Sequence, residues 1–283
     1  MTDVDQDRVA TPADQGSRNL VARVIAALVL APLAVLIAWA GGAWWISLAT
    51  LTSVGLYVEW LMIVGAVHER STVAAGIAAL VVSGVCLALG SIGYSLIALV
   101  AGIAAVTAVS TQMRLWSAAG FCYAAVAQFA SMLVRRDDGY GFVALIFVLL
   151  VVWVTDSGGY FAGRGIGGPK LWARVSPKKT WAGAVGGFAG SLGVAAGFVA
   201  FGFGKLGPLL LLGAVLSTVS QLGDLFESAV KRRFGVKDSS QIIPGHGGLL
   251  DRLDGFIAAI AVAALFGFLR GGADGVGHAL MVW

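Results

Sequence analysis

The sequence has little charge. Only 12% of its 283 residues are Asp, Glu, Lys or Arg, against 58% apolar, whereas a soluble globule carries about 25% charged residues. Such a chain cannot cover a water-facing surface, and its mean hydropathy of +0.88 agrees. Cysteine is scarce too. Cys86 and Cys122 both fall inside apolar runs, which excludes a disulfide framework or thiolate metal spacing and leaves two small apolar side chains. The basic excess of a nucleic-acid-binding domain is also missing: the net charge is only +4, and in membrane proteins Lys and Arg chiefly set topology. A soluble enzyme, a disordered chain and a nucleic-acid partner are therefore poor fits.

What is present is apolar sequence in runs of bilayer-crossing length. They cover about 20–41, 43–66, 73–89, 92–110, 115–134, 140–163, 181–203, 206–231 and 251–270. The fold class is thus all-α, a polytopic membrane bundle of about nine spans. Residues 1–19 form a polar tail with nothing to bury and read as disordered. The run that follows reads as a retained span, not a cleaved signal. With the N-terminus in the cytoplasm, of the 19 Lys and Arg residues only Arg135, Arg136, Lys205 and Arg270 lie outside, a clear positive-inside bias. The Arg135–Arg136 pair is the one discordant feature. Residues 20–135 read as a scaffold of spans with candidate dimer contacts, and residues 136–283 as the spans carrying the chemistry. Glu59 is the main acid of the early spans; it either reaches the site from span two or forms a packing pair.

Polar residues crowd the later spans. At about 100° per residue, Ser217, Ser220, Gln221, Asp224, Glu227, Ser228 and Lys231 fall within an arc of roughly 120° on span eight. A carboxylate so deep in an apolar run faces a cavity or a partner; the alternative is an interfacial helix with its charges in water. Asp156 interrupts span six beside Gly158 and Gly159, which admit a close backbone or a ligand, although Asp156 could equally pair with a lysine for packing. The loop between spans six and seven holds Arg164, Lys170, Arg174, Lys178 and Lys179 and no acid. That suits polyphosphate or anionic headgroups, with topology determination as the competing account. After span eight, Asp251 and Asp254 share one face of a helix start, where they could merely complement the helix dipole. If Asp224 comes near, several carboxylates beside many cations describe a site for a divalent metal and phosphate. Gly247 and Gly248 around His246 permit a tight turn with exposed N–H groups. His246 reads as a structural or phosphate-contacting imidazole, since a hard oxygen site needs no nitrogen.

The run from Ser228 through Lys231-Arg232-Arg233 to Lys237-Asp238, continuing as Pro244-Gly245-His246-Gly247-Gly248-Leu249-Leu250-Asp251-Arg252-Leu253-Asp254, closely resembles the signature of the phosphatidate cytidylyltransferases, or CDP-diacylglycerol synthases. Gln221 to Ser228 and Ser176-Pro177-Lys178-Lys179-Thr180-Trp181 also look like motifs of that family. The strong matches span about 153–255, and the first 135 residues match only in hydropathy. One departure is Ala182, where relatives often carry an acid or amide.

The resemblance implies a reaction in which CTP and phosphatidate give CDP-diacylglycerol and pyrophosphate. It implies Asp224 and Asp251 as a Mg²⁺-binding pair, admits a second, monovalent ion such as K⁺, and implies a homodimer in the cell (inner or plasma) membrane with a cytoplasmic site. Lys178, Lys179, Lys231 and Arg232 would hold phosphates, while Asp156, Glu227 and Asp254 would orient those cations or complete an outer metal shell. Ser176, Ser228, Lys237, His246, Gly247, Gly248 and Arg252 complete the candidate substrate-binding set. Two rivals differ in kind. An ion-coupled secondary transporter predicts inverted repeats and a midplane site, and no repeat is visible. A CDP-alcohol phosphotransferase distributes its aspartates differently.

Overall fold

Each long apolar run becomes a helix because a backbone crossing lipid must satisfy its own N–H and C=O groups within the segment. The computed structural model describes residues 31–240 and 247–283. The tail expected over 1–19, the first part of span one and His246 lie outside the described residues. The first span is helical over Ala31–Ala40 (α1). There follow α2 (Gly42–Ile63), α3 (Arg70–Ala88), α4 (Ile92–Val109), α5 (Arg114–Arg136), α6 (Gly141–Gly165), α7 (Trp181–Ala200), α8 (Leu206–Arg233), α9 (Leu250–Gly271) and a short α10 (Val276–Met281). Among the described residues, 8 helices, α2 to α9, are long and apolar enough to cross a membrane.

Successive helices run up and down, so the turns after α2, α4, α6 and α8 gather at one end of the bundle. Glu69, just before α3, ties two of these turns together. It accepts hydrogen bonds from the Thr111 and Gln112 amides at 3.2 and 3.0 Å and from the Thr72 hydroxyl at 2.9 Å. Those donors, the Gln112 amide foremost, lower its pKa from 4.5 to about 2. At the opposite end Arg135 donates to the carbonyls of Ala38 and Trp39, and Arg136 pairs with Asp274 at 2.8 Å. The discordant arginine pair is thus built into the fold: one caps the end of α1 and the other tethers the segment before α10.

Two features depart from the sequence reading. The segment before α7 is not an open loop. It folds as an antiparallel hairpin of β1 (Lys170–Trp172) and β2 (Ser176–Thr180). The hairpin is closed by the Trp181 amide on the Pro169 carbonyl at 3.1 Å, and the Thr180 hydroxyl then caps α7 by accepting from the Gly183 amide at 3.1 Å. The second departure is α10, too short to show as an apolar run. It packs against α9 and the start of α6, where a side chain at Gly277 would meet the backbone of Gly141.

Helices α6 and α7 approach unusually closely. Added methyl groups at Gly183 and Gly187 would strike the backbone of Gly159 and Thr155 respectively. Small residues four apart on both helices allow this contact, which in lipid depends on van der Waals fit. The glycines beside Asp156 thus serve a neighbouring helix.

Candidate active site

The polar stripe on α8 is real, and it divides. Ser217, Ser220, Glu227 and Lys231 are buried. One edge, bearing Gln221, Asp224 and Ser228, turns toward α6, α7 and β2. The Ser217 hydroxyl accepts from Thr155 on α6 at 2.9 Å, and Gln221 donates to the Ala184 carbonyl on α7 at 3.4 Å. The other edge, bearing Ser220, Glu227 and Lys231, turns toward α9, against which Gly223 packs so closely that a methyl group there would stand 2.8 Å from the Asp254 carbonyl.

On the first edge a cleft of about 390 Å³ opens between α6, α7, α8 and the hairpin. Asp156, Arg164, Lys178, Lys179, Gln221 and Asp224 are among its lining residues. Lys179 forms an ion pair with Asp224, whose other oxygen accepts from Ser228 at 3.4 Å. The strand explains this placement, since it carries Lys179 across to α8 while Lys178 also reaches the cleft. Arg164 donates to the Tyr160 hydroxyl at 2.7 Å at the cleft's edge. Asp156 is exposed to the cleft, within Coulombic reach of Lys179 and Asp224 but without an ion pair among the described residues.

On the second edge Lys231 bridges two carboxylates, Glu227 and Asp251, each at 2.6 Å. Asp251 sits in the first turn of α9 and also accepts from the Ser239 amide and hydroxyl at 3.1 and 3.0 Å and from the Gly248 amide at 3.0 Å. Gly248, read as an anion-binding turn, here donates to the protein's own carboxylate. Only glycine fits there, because a side chain would collide with Ser239 and Glu59.

Glu59 proves to be part of this assembly. It is 0% exposed and accepts four hydrogen bonds, from the hydroxyls of Ser239 (3.0 Å) and Ser240 (2.6 Å) and the amides of Leu249 (2.8 Å) and Leu250 (2.7 Å). It thereby caps α9 from α2. A lone carboxylate in an apolar run was the available signal; Ser239 and Ser240 gave none.

The two edges communicate through Asp254, which lies within Coulombic reach of Asp224, Asp156 and Lys179. Glu227 lies in turn within reach of Asp254 and Asp251, and its Oε1 has no hydrogen-bond partner although buried. Asp224 and Asp251, expected to share one ion, stand on the two edges of the stripe. Both stand at the same end of the α8–α9 pair, but Asp224 opens into the cleft while Asp251 is held beside Lys231, and among the described residues no three His, Cys, Asp or Glu side chains form a metal-holding group. Of the remaining candidates, Ser176 begins β2. Arg232 closes the turn after α8 by donating to the Val236 carbonyl at 3.1 Å. Lys237 is exposed and Gly247 adopts a positive φ of 84°. Arg252, in the first turn of α9, does not line the cleft.

Comparison with known proteins gives the context for this site. The sequence model of the cytidylyltransferase family matches residues 21–269. A phosphatidate cytidylyltransferase of Brucella suis biovar 1 is 41% identical over 258 residues, covering 88% of this chain and 93% of its own length. Proteins of the same name from Haemophilus influenzae and Bacillus subtilis are 43% and 45% identical over 139 and 131 residues, covering 47% and 44% of this chain and 48% and 47% of their own lengths.

Proposed function

The chain belongs to the cytidylyltransferase family, and from that premise we propose that it transfers CMP from CTP to phosphatidate, giving CDP-diacylglycerol and pyrophosphate. The observation that carries this reading is the cleft between α6, α7 and α8, where Lys178, Lys179 and Arg164 gather around Asp224 and Asp156. Both substrates are polyanions, so charge repulsion dominates the barrier and positioned cations relieve it. Lys178, Lys179 and Arg164 take phosphate oxygens at the cleft, and Lys231 and Arg232 stand at the same end of α8. The nucleophile is a phosphate oxygen of phosphatidate, already ionised, so no side chain has to remove a proton. That oxygen bonds to the α-phosphorus as the bridge to the β-phosphorus breaks, and pyrophosphate departs.

The donors suit a hard divalent cation. Asp156, Asp224 and Asp254 outnumber Lys179 within mutual electrostatic reach, and all offer oxygen. Asp224 and Asp251 are the residues we assign to hold Mg²⁺, which when bound supplies positive charge beside the triphosphate. Lys179 pairs with Asp224, and Lys231 with Asp251, so each lysine orients the carboxylate that would hold the ion. The site end faces the cytoplasm in this reading, which the inside excess of Lys and Arg supports. A transporter would hold its carboxylates near the midplane; here they cluster at one end of the helices.

The test uses purified full-length protein with CTP, Mg²⁺ and phosphatidate, following pyrophosphate. Release should require all three. Release without phosphatidate, or none with all three present, rejects the reading.

A further inference from the structure

Lys231 holds its two carboxylates unequally. It donates a hydrogen bond across the α8–α9 contact to Asp251 Oδ1 at 2.6 Å. Its 2.6 Å contact with Glu227 Oε2 is an ion pair without a hydrogen bond, and Glu227 Oε1 has no partner among the described residues. The Glu227 side chain is 1% exposed, and a carboxylate so deep ordinarily has its oxygens met by donors. Asp251 is the opposite case, since Ser239 and Gly248 supply it with donors besides Lys231. Glu227 therefore has acceptor capacity to spare directly beside a cation. The two residues stand four apart on α8, so the ammonium can turn from one acid to the other about its own side-chain bonds, with no backbone movement.

We propose, resting on the Mg²⁺ assignment made above, that Glu227 is a positioning residue that receives Lys231 when Asp251 takes up the divalent cation. Lys231 fills an oxygen of Asp251 that a cation would need. Turned fully onto Glu227, it frees that oxygen and gives Glu227 the hydrogen bond it lacks. The ammonium keeps a buried counter-charge throughout, where leaving it unpaired would be costly. Asp251 itself need not move, because Glu59 fixes the start of α9. With a neutral side chain at 227, Lys231 retains Asp251 as its one carboxylate among the described residues and competes with the cation for it.

Mg²⁺ binding without CTP or lipid tests this, by calorimetric titration of the purified full-length protein alongside its melting temperature. Glu227→Gln keeps the volume and an acceptor for Lys231, so the melting temperature without Mg²⁺ should stay near that of wild type. The Kd for Mg²⁺ should rise about tenfold or more, the scale of losing a residue that supports a metal ligand. A lowered melting temperature with unchanged Mg²⁺ affinity would mean that Glu227 serves packing alone, and overturns the proposal. A second background separates positioning from direct ligation. In Lys231→Met there is no ammonium to receive, so adding Glu227→Gln should weaken Mg²⁺ at least about threefold less than it does in wild type, a coupling within reach of a double-mutant cycle. An equal or larger loss there would make Glu227 a ligand of the cation itself and also overturns the proposal. Lys231→Gln, which keeps a donor between the acids, serves as the background if Lys231→Met does not fold. Asp251→Asn distinguishes the premise from the inference. Wild-type Mg²⁺ affinity in that variant rejects the metal assignment and the role of Glu227 with it, whereas a loss in Asp251→Asn with none in Glu227→Gln rejects the role of Glu227 alone.

Discussion

Lys231 is the residue on which the buried acids of the site depend. With it removed, Glu227 and Asp251 would share a buried space with no compensating charge, and breaking a buried ion pair costs about 3–5 kcal/mol. Lys231→Met should therefore lower the thermal midpoint sharply in detergent. Lys179 is different, since it and Asp224 each keep 28% of their side-chain surface exposed. Lys179→Met should cost no more than about 1 kcal/mol of stability while raising KM for CTP, a contrast that unfolding and initial-rate measurements read side by side. Glu59→Gln keeps the volume but leaves too few acceptors for four donors. Each buried donor left unsatisfied costs about 1–3 kcal/mol, so this variant should melt earlier and lose activity, because the start of α9 presents Asp251. At this scale the sequence was half legible. Asp224, Glu227 and Lys231 announced themselves by their spacing on one helix. The link from Glu59 to Ser239, Leu249 and Leu250 joins residues about 180–191 positions apart, and spacing on a single helix carries no information about such a contact.

The elements were largely legible because bilayer thickness fixes the length of an apolar run. The run expected over 206–231 is α8 at Leu206–Arg233, and that expected over 92–110 is α4 at Ile92–Val109. The hairpin and α10 escaped because neither is apolar enough or long enough to leave a periodic signal. The division of the α8 stripe escaped for another reason: a helical wheel shows which residues share a face, while the neighbours on either side of that face come only with the fold. The α6–α7 contact invites a paired test on one helix. Gly187→Ala would drive a methyl group into the Thr155 backbone, and overpacking of this kind costs about 1–3 kcal/mol. Because these helices form two walls of the cleft, activity should fall with stability. Gly193→Ala meets nothing within 4 Å and should stabilise α7 by roughly 0.5–1 kcal/mol. The turn clamp at Glu69 predicts a pH dependence. Its folded pKa of about 2 lies below the ordinary 4.5, so its contribution is complete above pH 4.5 and is lost as pH falls toward 2. The stability difference between wild type and Glu69→Gln should thus be constant near neutrality and shrink in acid, as melting curves across that range would show.

For the whole molecule, the two ends of the bundle have different work. One end is tied shut by Arg135 on the end of α1, Arg136 on Asp274, and the Asp137 carboxylate accepting from the His278 amide at 2.7 Å. The other end carries the cleft, the lysine-bridged acids and the Glu59 cap, each drawn from a different part of the chain. Composition alone indicated a polytopic bundle, but only the fold shows that a residue of α2 helps build a site otherwise drawn from α6 to α9. The account's central claim is that this end carries CTP- and phosphatidate-dependent transfer through Asp224 and Asp251. The most direct measurement is pyrophosphate release by wild type, Asp224→Asn and Asp251→Asn, each verified as folded and membrane-inserted. The account predicts a loss of about 10²-fold or more in both variants, the scale of removing a key electrostatic group; full activity in the two variants would contradict it.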